Sequence, residues 1–135
     1  MSDDGVFRQL SYTTDVGEDP LMIDDPVAFY LRVVAEVAPL TPAEETECIE
    51  HVRSGDDNAE RAAKRLVETH LGLVVSIAER YRGGPVHILD LIQSGNTGLL
   101  EAVQNLGGFH HDRFSSCAAR YIERAITEAN SRNQT

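Results

Sequence analysis

The segment LDLIQSGNTGLLEAV, residues 89–103, places three polar side chains at helical steps among apolar residues. Asp90, Gln93 and Asn96 follow one another at intervals of three residues, so a helix would bring them onto one face. A carboxylate and two amides on such a face can pair with an arginine and exchange hydrogen bonds with a partner. The spacing therefore predicts a polar binding face.

Two glycines interrupt the same predicted helix. Glycine within a helix costs about 1 kcal/mol relative to alanine, so Gly95 and Gly98 indicate that another backbone or helix approaches closely at these positions. The apolar residues of the segment are Leu91, Ile92, Leu99, Leu100 and Val103. The segment thus predicts a helix that is packed on one side and polar on the other.

The chain begins with a segment that predicts no regular structure. Residues 1–23 mix Asp, Gly, Ser and Thr without apolar periodicity, which predicts a disordered acidic tail before a helical domain at residues 24–135. Asp25 followed by Pro26 is a helix-start signal, because Asp can cap free backbone donors and Pro fits the first turn. The inward side chains of this first helix are expected to be Phe29, Tyr30, Val33 and Val34.

Further helices are predicted along the rest of the chain. Thr41 and Glu44 have capping-box spacing around a first-turn proline, which predicts a second helix to about Arg53. Apolar spacing predicts a third helix near residues 59–67, a fourth near residues 71–81, the motif helix, and a last helix from Phe114 or Ser115. No strand pattern occurs in the sequence. The predicted fold is all-α, a compact bundle of about six helices.

Composition narrows the class of protein. With 135 residues and 41% hydrophobic content, the chain can bury one core but hardly two. No apolar run approaches the ~20 residues that span a bilayer, and the N-terminus MSDDGVF lacks the features of a signal peptide. We therefore expect no membrane association and a cytoplasmic location.

The remaining reactive residues do not suggest a catalytic or metal site. Cys48 and Cys117 lack metal-ligand spacing, so we expect buried thiols and no disulfide. His110 and His111 are adjacent, so they cannot share one helical face as metal ligands would. The sequence has no phosphate-binding glycine loop and no credible pair of nucleophile and base. It therefore predicts a protein that is not an enzyme and has no cofactor and no bound metal.

Charge is distributed unevenly along the chain. The net charge is −10, of which −12 falls in residues 1–60 and +2 in residues 61–135. An acidic surface repels nucleic-acid phosphates, whose neutralisation by Lys and Arg supplies most nonspecific affinity. Binding of DNA by the chain alone is therefore expected to be weak. Solvated helix faces and a solubilising tail also explain the acidic residues.

The motif and its surroundings resemble one protein family. Residues 89–103, with LGLVVSIAERY at 71–81 and FSSCAARYIERAIT at 114–127, resemble the second conserved region of the housekeeping, sigma-seventy family of bacterial RNA polymerase sigma factors. DPVAFYLR at 25–32 and LTPAEE at 40–45 resemble, in order and spacing, the segment that precedes this region. The resemblance implies a helical domain of the sigma-factor second-region type that acts in transcription initiation.

In that family the DLIQ-x-GN-x-GL helix docks on the coiled coil of the polymerase clamp. The resemblance implies that core RNA polymerase is the partner and that the contacting residues are Leu89, Asp90, Gln93, Asn96 and Leu100. Asp90 would pair with a clamp arginine, while Gln93 and Asn96 would make side-chain hydrogen bonds. A solvated polar face is the alternative interpretation of the same residues.

The last helix departs from the family where the family reads the promoter. There the family has a tyrosine, two tryptophans, a glutamine and an arginine that capture bases of the minus-ten element. The corresponding residues here are Cys117, Arg120, Tyr121, Arg124 and Glu128. Stacking of one base on an aromatic side chain contributes about 1–3 kcal/mol, so these departures predict impaired strand opening.

Two charge reversals in the last helix also predict weaker contact with promoter DNA. Glu123 and Glu128 stand where the family usually has arginine, and each adds repulsion to nearby phosphates. Residues that could still contact promoter DNA are Arg113, Ser116, Arg120, Tyr121 and Arg124. Their alternative interpretation is that of solvated surface residues.

Two functions follow from this pattern. The first is a sigma-factor-like domain that binds the polymerase clamp and contributes to recognition of the minus-ten element. The second is a sigma-like interaction protein that binds polymerase or an anti-sigma protein and modulates transcription without melting DNA. The sequence ends at Thr135, about where a sigma factor would continue into further domains, so a fragment and a single-domain relative both stay open.

Overall fold

The computed structural model describes residues 26–106 and 113–132, and within these ranges it contains six α-helices and no strand. The helices are α1 (Pro26–Val34), α2 (Pro42–Ser54), α3 (Ala59–Thr69), α4 (Leu71–Glu79), α5 (Ile88–Gln104) and α6 (Phe114–Arg132). The predicted all-α architecture is confirmed. The predicted tail at residues 1–23, the capping residue Asp25 and the pair His110 and His111 lie outside the described residues.

Helix α5 lies at the centre of the bundle. It packs chiefly against α6 and α4, and to a smaller extent against α3 and α1. The largest fully buried side chains of α3 to α6 are Leu66, Val74, Ile77, Leu91, Ile92, Leu99, Phe114, Ile122 and Ile126. Because burial of each such side chain contributes about 1.5–3 kcal/mol, this core holds α5 firmly while its outer side faces solvent.

Both glycines of α5 lie where neighbouring helices approach its backbone. A Cβ atom at Gly98 would lie 2.5 Å from the carbonyl oxygen of Tyr121 in α6. At Gly95 it would lie 2.7 Å from Cγ1 of Val74 in α4 and 3.1 Å from Cδ1 of Ile126 in α6. The predicted close approach is confirmed, and the packing that it allows offsets the conformational cost of glycine in a helix.

Local hydrogen bonds begin and end α2 as its sequence predicts. The Oγ1 atom of Thr41 accepts a bond of 3.1 Å from the backbone N–H of Glu44, and Oε1 of Glu44 accepts one of 3.0 Å from the N–H of Thr41. This reciprocal pair is the expected capping box. The helix ends at Ser54 and is capped by Gly55, whose φ of +68° places it in the left-handed region that glycine adopts readily.

The turn between α2 and α3 is fixed by one carboxylate. Oδ2 of Asp56 lies 2.6 Å from Nδ1 of His51, and its Oδ1 accepts a bond of 2.9 Å from the backbone N–H of Asn58. The hydrogen bond with His51 lowers the pKa of Asp56. Since this pKa is lowered in the folded state, the stabilisation is present at neutral pH and is lost as acid protonates Asp56.

Two details differ from expectation. Helix α4 ends at Glu79, before Tyr81, because the N–H groups of Arg80 and Tyr81 bond to carbonyls three residues earlier and tighten the chain into turns. The expectation of buried thiols was wrong, since Cys48 and Cys117 are only half-buried. Each cysteine directly precedes a buried residue of its helix and so lies at the edge of the packed stripe.

Candidate functional site

The outer side of α5 carries all five residues that the family resemblance assigns to polymerase binding. At about 100° per residue, Leu89, Asp90, Gln93, Asn96 and Leu100 fall within about one third of the helix circumference. Asp90 and Gln93 are exposed, whereas the other three are half-buried, and the two leucines pack against the core. These five residues, termed the α5 face, thus form a polar surface with an apolar edge.

The start of α5 positions the α5 face. Nδ1 of His87 accepts a hydrogen bond of 3.1 Å from the backbone N–H of Leu89, so the imidazole caps the helix N-terminus. Asp90 follows in the first turn, where the helix dipole stabilises a negative charge. The carboxylate is therefore held at a defined helix end and remains exposed to a partner.

Asn96 is less accessible than its predicted role as a contact residue implies, and its neighbour Thr97, for which the sequence analysis made no prediction, is exposed. The Oδ1 atom of Asn96 is buried and has no hydrogen-bond partner within the part of the chain that the structure describes. Thr97 is exposed on the same side of α5, and its hydroxyl donates a bond of 3.3 Å to the carbonyl of Gln93. Thr97 follows Gln93 by four residues, so helical spacing alone could have placed it on this side of α5.

The N-terminus of α6 is capped by a residue from a distant helix. Glu45 of α2 is only 8% exposed, and its Oε2 atom accepts a hydrogen bond of 3.1 Å from the backbone N–H of Phe114. Its Oε1 atom lies 3.8 Å from a guanidinium nitrogen of Arg113. The ring of Phe114 packs edge-on against His70, with centroids 4.9 Å apart. Together these contacts attach the start of α6 to the helices that precede it.

Replacing Glu45 by alanine is expected to lower the free energy of unfolding by about 1–2 kcal/mol, because the buried N–H of Phe114 loses its acceptor. Urea unfolding followed by circular dichroism measures this change. Glu47→Ala is the matched control, since Glu47 is an exposed glutamate of the same helix and its loss should change stability by less than about 0.5 kcal/mol. Equal effects of the two variants would contradict the capping role.

Glu45 was not among the residues predicted from the sequence, although its position in α2 carries a signal. Glu45 precedes Ile49 and Val52 at helical spacing, so it lies on the stripe of α2 that faces the core. A glutamate in an apolar stripe is buried only when it has a partner. That partner, the backbone of Phe114, is 69 residues away along the chain, and local pattern analysis cannot supply it.

The residues predicted to retain contact with promoter DNA lie at the start and along the outer side of α6. Arg113, Ser116, Arg120 and Arg124 are exposed, and Tyr121 is half-buried. The guanidinium carbon of Arg124 lies 5.5 Å from the centroid of the Tyr121 ring, a cation–π contact worth about 0.5–1 kcal/mol at an exposed site. These five residues are termed the α6 face. Its one aromatic ring, that of Tyr121, is contacted on one side by Arg124.

A second network joins α6 to the end of α4. The hydroxyl of Tyr81 donates a hydrogen bond of 2.8 Å to Oε2 of Glu123, and a guanidinium nitrogen of Arg80 lies 3.7 Å from Oε1. The hydrogen bond to the carboxylate raises the pKa of Tyr81. From the sequence, Glu123 was expected only to repel phosphates, and its two partners were not predicted.

The described residues contain neither a membrane-spanning helix nor a metal site. None of their helices combines the length and the apolar character needed to cross a bilayer. Across residues 26–106 and 113–132, no cluster of His, Cys, Asp and Glu side chains is arranged to hold a metal ion.

Comparison with known proteins identifies relatives over most of the chain. The family model described as Sigma-70 region 2 matches residues 66–135. The RNA polymerase sigma factor SigA of Clostridium acetobutylicum is 43% identical over 109 residues, which cover 81% of this chain and 28% of that protein. SigA of Lactococcus lactis subsp. cremoris is 43% identical over 107 residues, covering 79% of this chain and 29% of the relative. The chain therefore spans less than a third of the length of these relatives.

Proposed function

The chain belongs to the sigma-70 family of bacterial RNA polymerase sigma factors, and we propose that it acts in transcription initiation by binding core RNA polymerase through the α5 face. As a member of this family, the chain is proposed to act as a regulatory subunit without enzymatic activity. The proposed partner is the clamp coiled coil, and such a partner would place the chain in the cytoplasm.

The observation that carries this proposal is the arrangement of the α5 face. Asp90 and Gln93 are exposed beside the half-buried leucines Leu89 and Leu100, so the face offers polar groups next to a narrow apolar edge. A helical partner can bury that edge while its own polar side chains engage the carboxylate and the amide. An arginine opposite Asp90 would form a charge-assisted hydrogen bond, the strongest kind available to this face.

Contribution to recognition of the minus-ten element is the second part of the proposal. The α6 face holds Arg120 and Arg124 on its exposed side, where they could contact phosphates or a base edge. Helices α5 and α6 meet at Gly98, so docking of α5 on polymerase would fix the orientation of the α6 face. Affinity for DNA should be weak without polymerase, because the chain carries a net charge of −10.

A sigma-like protein that modulates transcription without melting DNA is the second candidate. The observation that favours it is that acidic residues engage one arginine of the α6 face and one arginine beside it. Arg113 lies beside Glu45, and Arg80 lies beside Glu123. Each pairing reduces the positive charge offered to promoter DNA. In this case the α5 face would occupy polymerase, or an anti-sigma protein would bind the chain, without capture of a promoter strand.

An affinity titration of the full chain against core RNA polymerase tests the proposal. The chain should bind and should be displaced by a housekeeping sigma factor, since the two would compete for the clamp. Adding a fluorescent single-stranded minus-ten oligonucleotide separates the candidates. Capture of the oligonucleotide supports promoter recognition, whereas competitive binding without capture supports the modulator. Absence of binding to core polymerase would contradict the first candidate and leave only a modulator that acts by binding an anti-sigma protein.

A further inference from the structure

One carboxylate of α6 engages two potential phosphate-binding groups at the end of α4. The two oxygens of Glu123 are used separately, with Oε2 accepting the 2.8 Å hydrogen bond from Tyr81 and Oε1 lying 3.7 Å from the guanidinium of Arg80. The side chains of Arg80 and Glu123 are 60% and 45% exposed. A solvent-borne anion could therefore reach the arginine if the glutamate did not hold it.

The chemistry of the two donors matches a phosphate. An arginine guanidinium and a tyrosine hydroxyl are both common donors to phosphate oxygens of nucleic acids. A carboxylate accepts from the same donors and carries the same sign of charge, so Glu123 and a phosphate compete for them. We propose that Arg80 and Tyr81 form a binding site for one phosphate of single-stranded DNA, and that Glu123 closes this site in the free chain.

The position of Glu123 places this site beside the α6 face. Arg120 precedes Glu123 by three residues and Arg124 follows it directly, so at about 100° per residue Glu123 lies on one flank of the two arginines. Glu128 lies on the opposite flank, close to the side that carries Tyr121. A strand that crosses Arg120 and Arg124 would thus pass Arg80 and Tyr81 on the Glu123 side. The inference rests on the proposed contact of the α6 face with DNA, and it makes Glu123 the residue that limits this contact.

Substitution of Glu123 by glutamine tests the proposal in the isolated full chain. Fluorescence anisotropy with a labelled single-stranded oligonucleotide of twelve nucleotides would measure affinity over a range of salt concentrations. Glu123→Gln should raise affinity about tenfold, since it restores a charge-assisted contact. It should also steepen the slope of log affinity against log salt by about 0.7, the value for one added phosphate contact on a single strand. Glutamine has the shape of glutamate but a neutral amide, which competes less strongly for Arg80 and Tyr81, so the fold should be preserved while the site opens to a phosphate.

Glu128→Gln is the matched control, because it removes the same charge from an exposed position of the same helix. Among the described residues no donor is bound to Glu128, so this variant relieves repulsion only. We therefore expect a gain in affinity below about threefold and no steepening of the slope of log affinity against log salt. Equal gains and equal slopes for the two variants would overturn the proposal, since charge alone would then explain them.

A double-mutant cycle tests whether Glu123 acts through Arg80. In an Arg80→Gln background, Glu123→Gln should raise oligonucleotide affinity much less, and it should no longer steepen the slope of log affinity against log salt. An undiminished gain in that background would contradict the proposal. Circular dichroism and thermal unfolding of each variant verify that the helices persist. If neither the wild-type chain nor Glu123→Gln bound the oligonucleotide at low salt, the phosphate site would be excluded, while polymerase binding through the α5 face would remain a separate measurement.

Discussion

Replacing Asp90 by alanine is expected to weaken binding of the chain to core RNA polymerase by about 10- to 100-fold. This range corresponds to about 1.5–3 kcal/mol, the loss expected when a charged hydrogen-bonding group is removed from an interface. The loss should appear mainly as faster dissociation, because a close contact is removed and the fold is unchanged. Biolayer interferometry with immobilised core polymerase would measure both rate constants.

The same helix supplies the control for this prediction. Glu101 is also an exposed carboxylate of α5, three turns closer to the C-terminus and at the border of the α5 face. Glu101→Ala removes an equal charge, so it separates a specific contact from a general electrostatic effect. We expect it to change polymerase affinity by less than about threefold. Binding of Asp90→Ala within twofold of wild type, with normal helical content, would contradict the assignment of the α5 face.

The sequence predicted those features of the fold that depend on neighbouring residues. Thr41 and Glu44 lie three residues apart, so their capping box could be inferred from spacing alone. The glycines of α5 also gave a correct prediction, because an unfavourable residue inside a helix needs a compensating contact. The partners of Gly95 and Gly98 were not predictable, since Val74 and Tyr121 belong to helices whose relative positions only the complete packing determines.

Long-range polar contacts were the part of the site that the sequence could not supply. Glu45 bonds to Phe114 across 69 residues, and Tyr81 bonds to Glu123 across 42 residues. Both carboxylates were visible in the sequence as charges, and Glu123 was expected only to repel phosphates. The structure shows that Glu123 is also an acceptor for a hydroxyl and a neighbour of a guanidinium. A charge has a general effect at a distance, but its specific effect depends on the donors within hydrogen-bond reach.

The positions of these contacts connect the two faces of the molecule. Helix α5 carries the proposed polymerase contacts, and α6 carries the proposed DNA contacts. Glu45 attaches the start of α6 to α2, while Glu123 attaches its middle to the end of α4. Both links therefore act on the helix that would receive DNA. The orientation of that helix relative to α5 is set by the contact at Gly98.

Replacing Gly98 by alanine is expected to lower the free energy of unfolding by about 1–2 kcal/mol. The added Cβ would lie 2.5 Å from the carbonyl oxygen of Tyr121, a backbone atom that can move only if α6 shifts as a whole. Overpacking of a tight core costs about 1–3 kcal/mol, whereas the higher helix propensity of alanine returns at most about 1 kcal/mol. The steric cost should therefore exceed the gain in propensity, and Gly98→Val should be more destabilising still.

Gly72→Ala shows whether the effect comes from the contact or from loss of any helical glycine. Gly72 lies in α4, and a Cβ atom there would meet only Cγ1 of Val34 at 3.4 Å, an ordinary van der Waals distance. This variant should be neutral or slightly stabilising in urea unfolding. Gly98→Ala should also weaken oligonucleotide capture by the polymerase complex, because displacement of α6 moves Arg120 and Arg124 relative to the docked α5. Stability of Gly98→Ala equal to that of Gly72→Ala would mean that α5 and α6 can separate at little cost, and that docking of α5 does not fix the orientation of the α6 face.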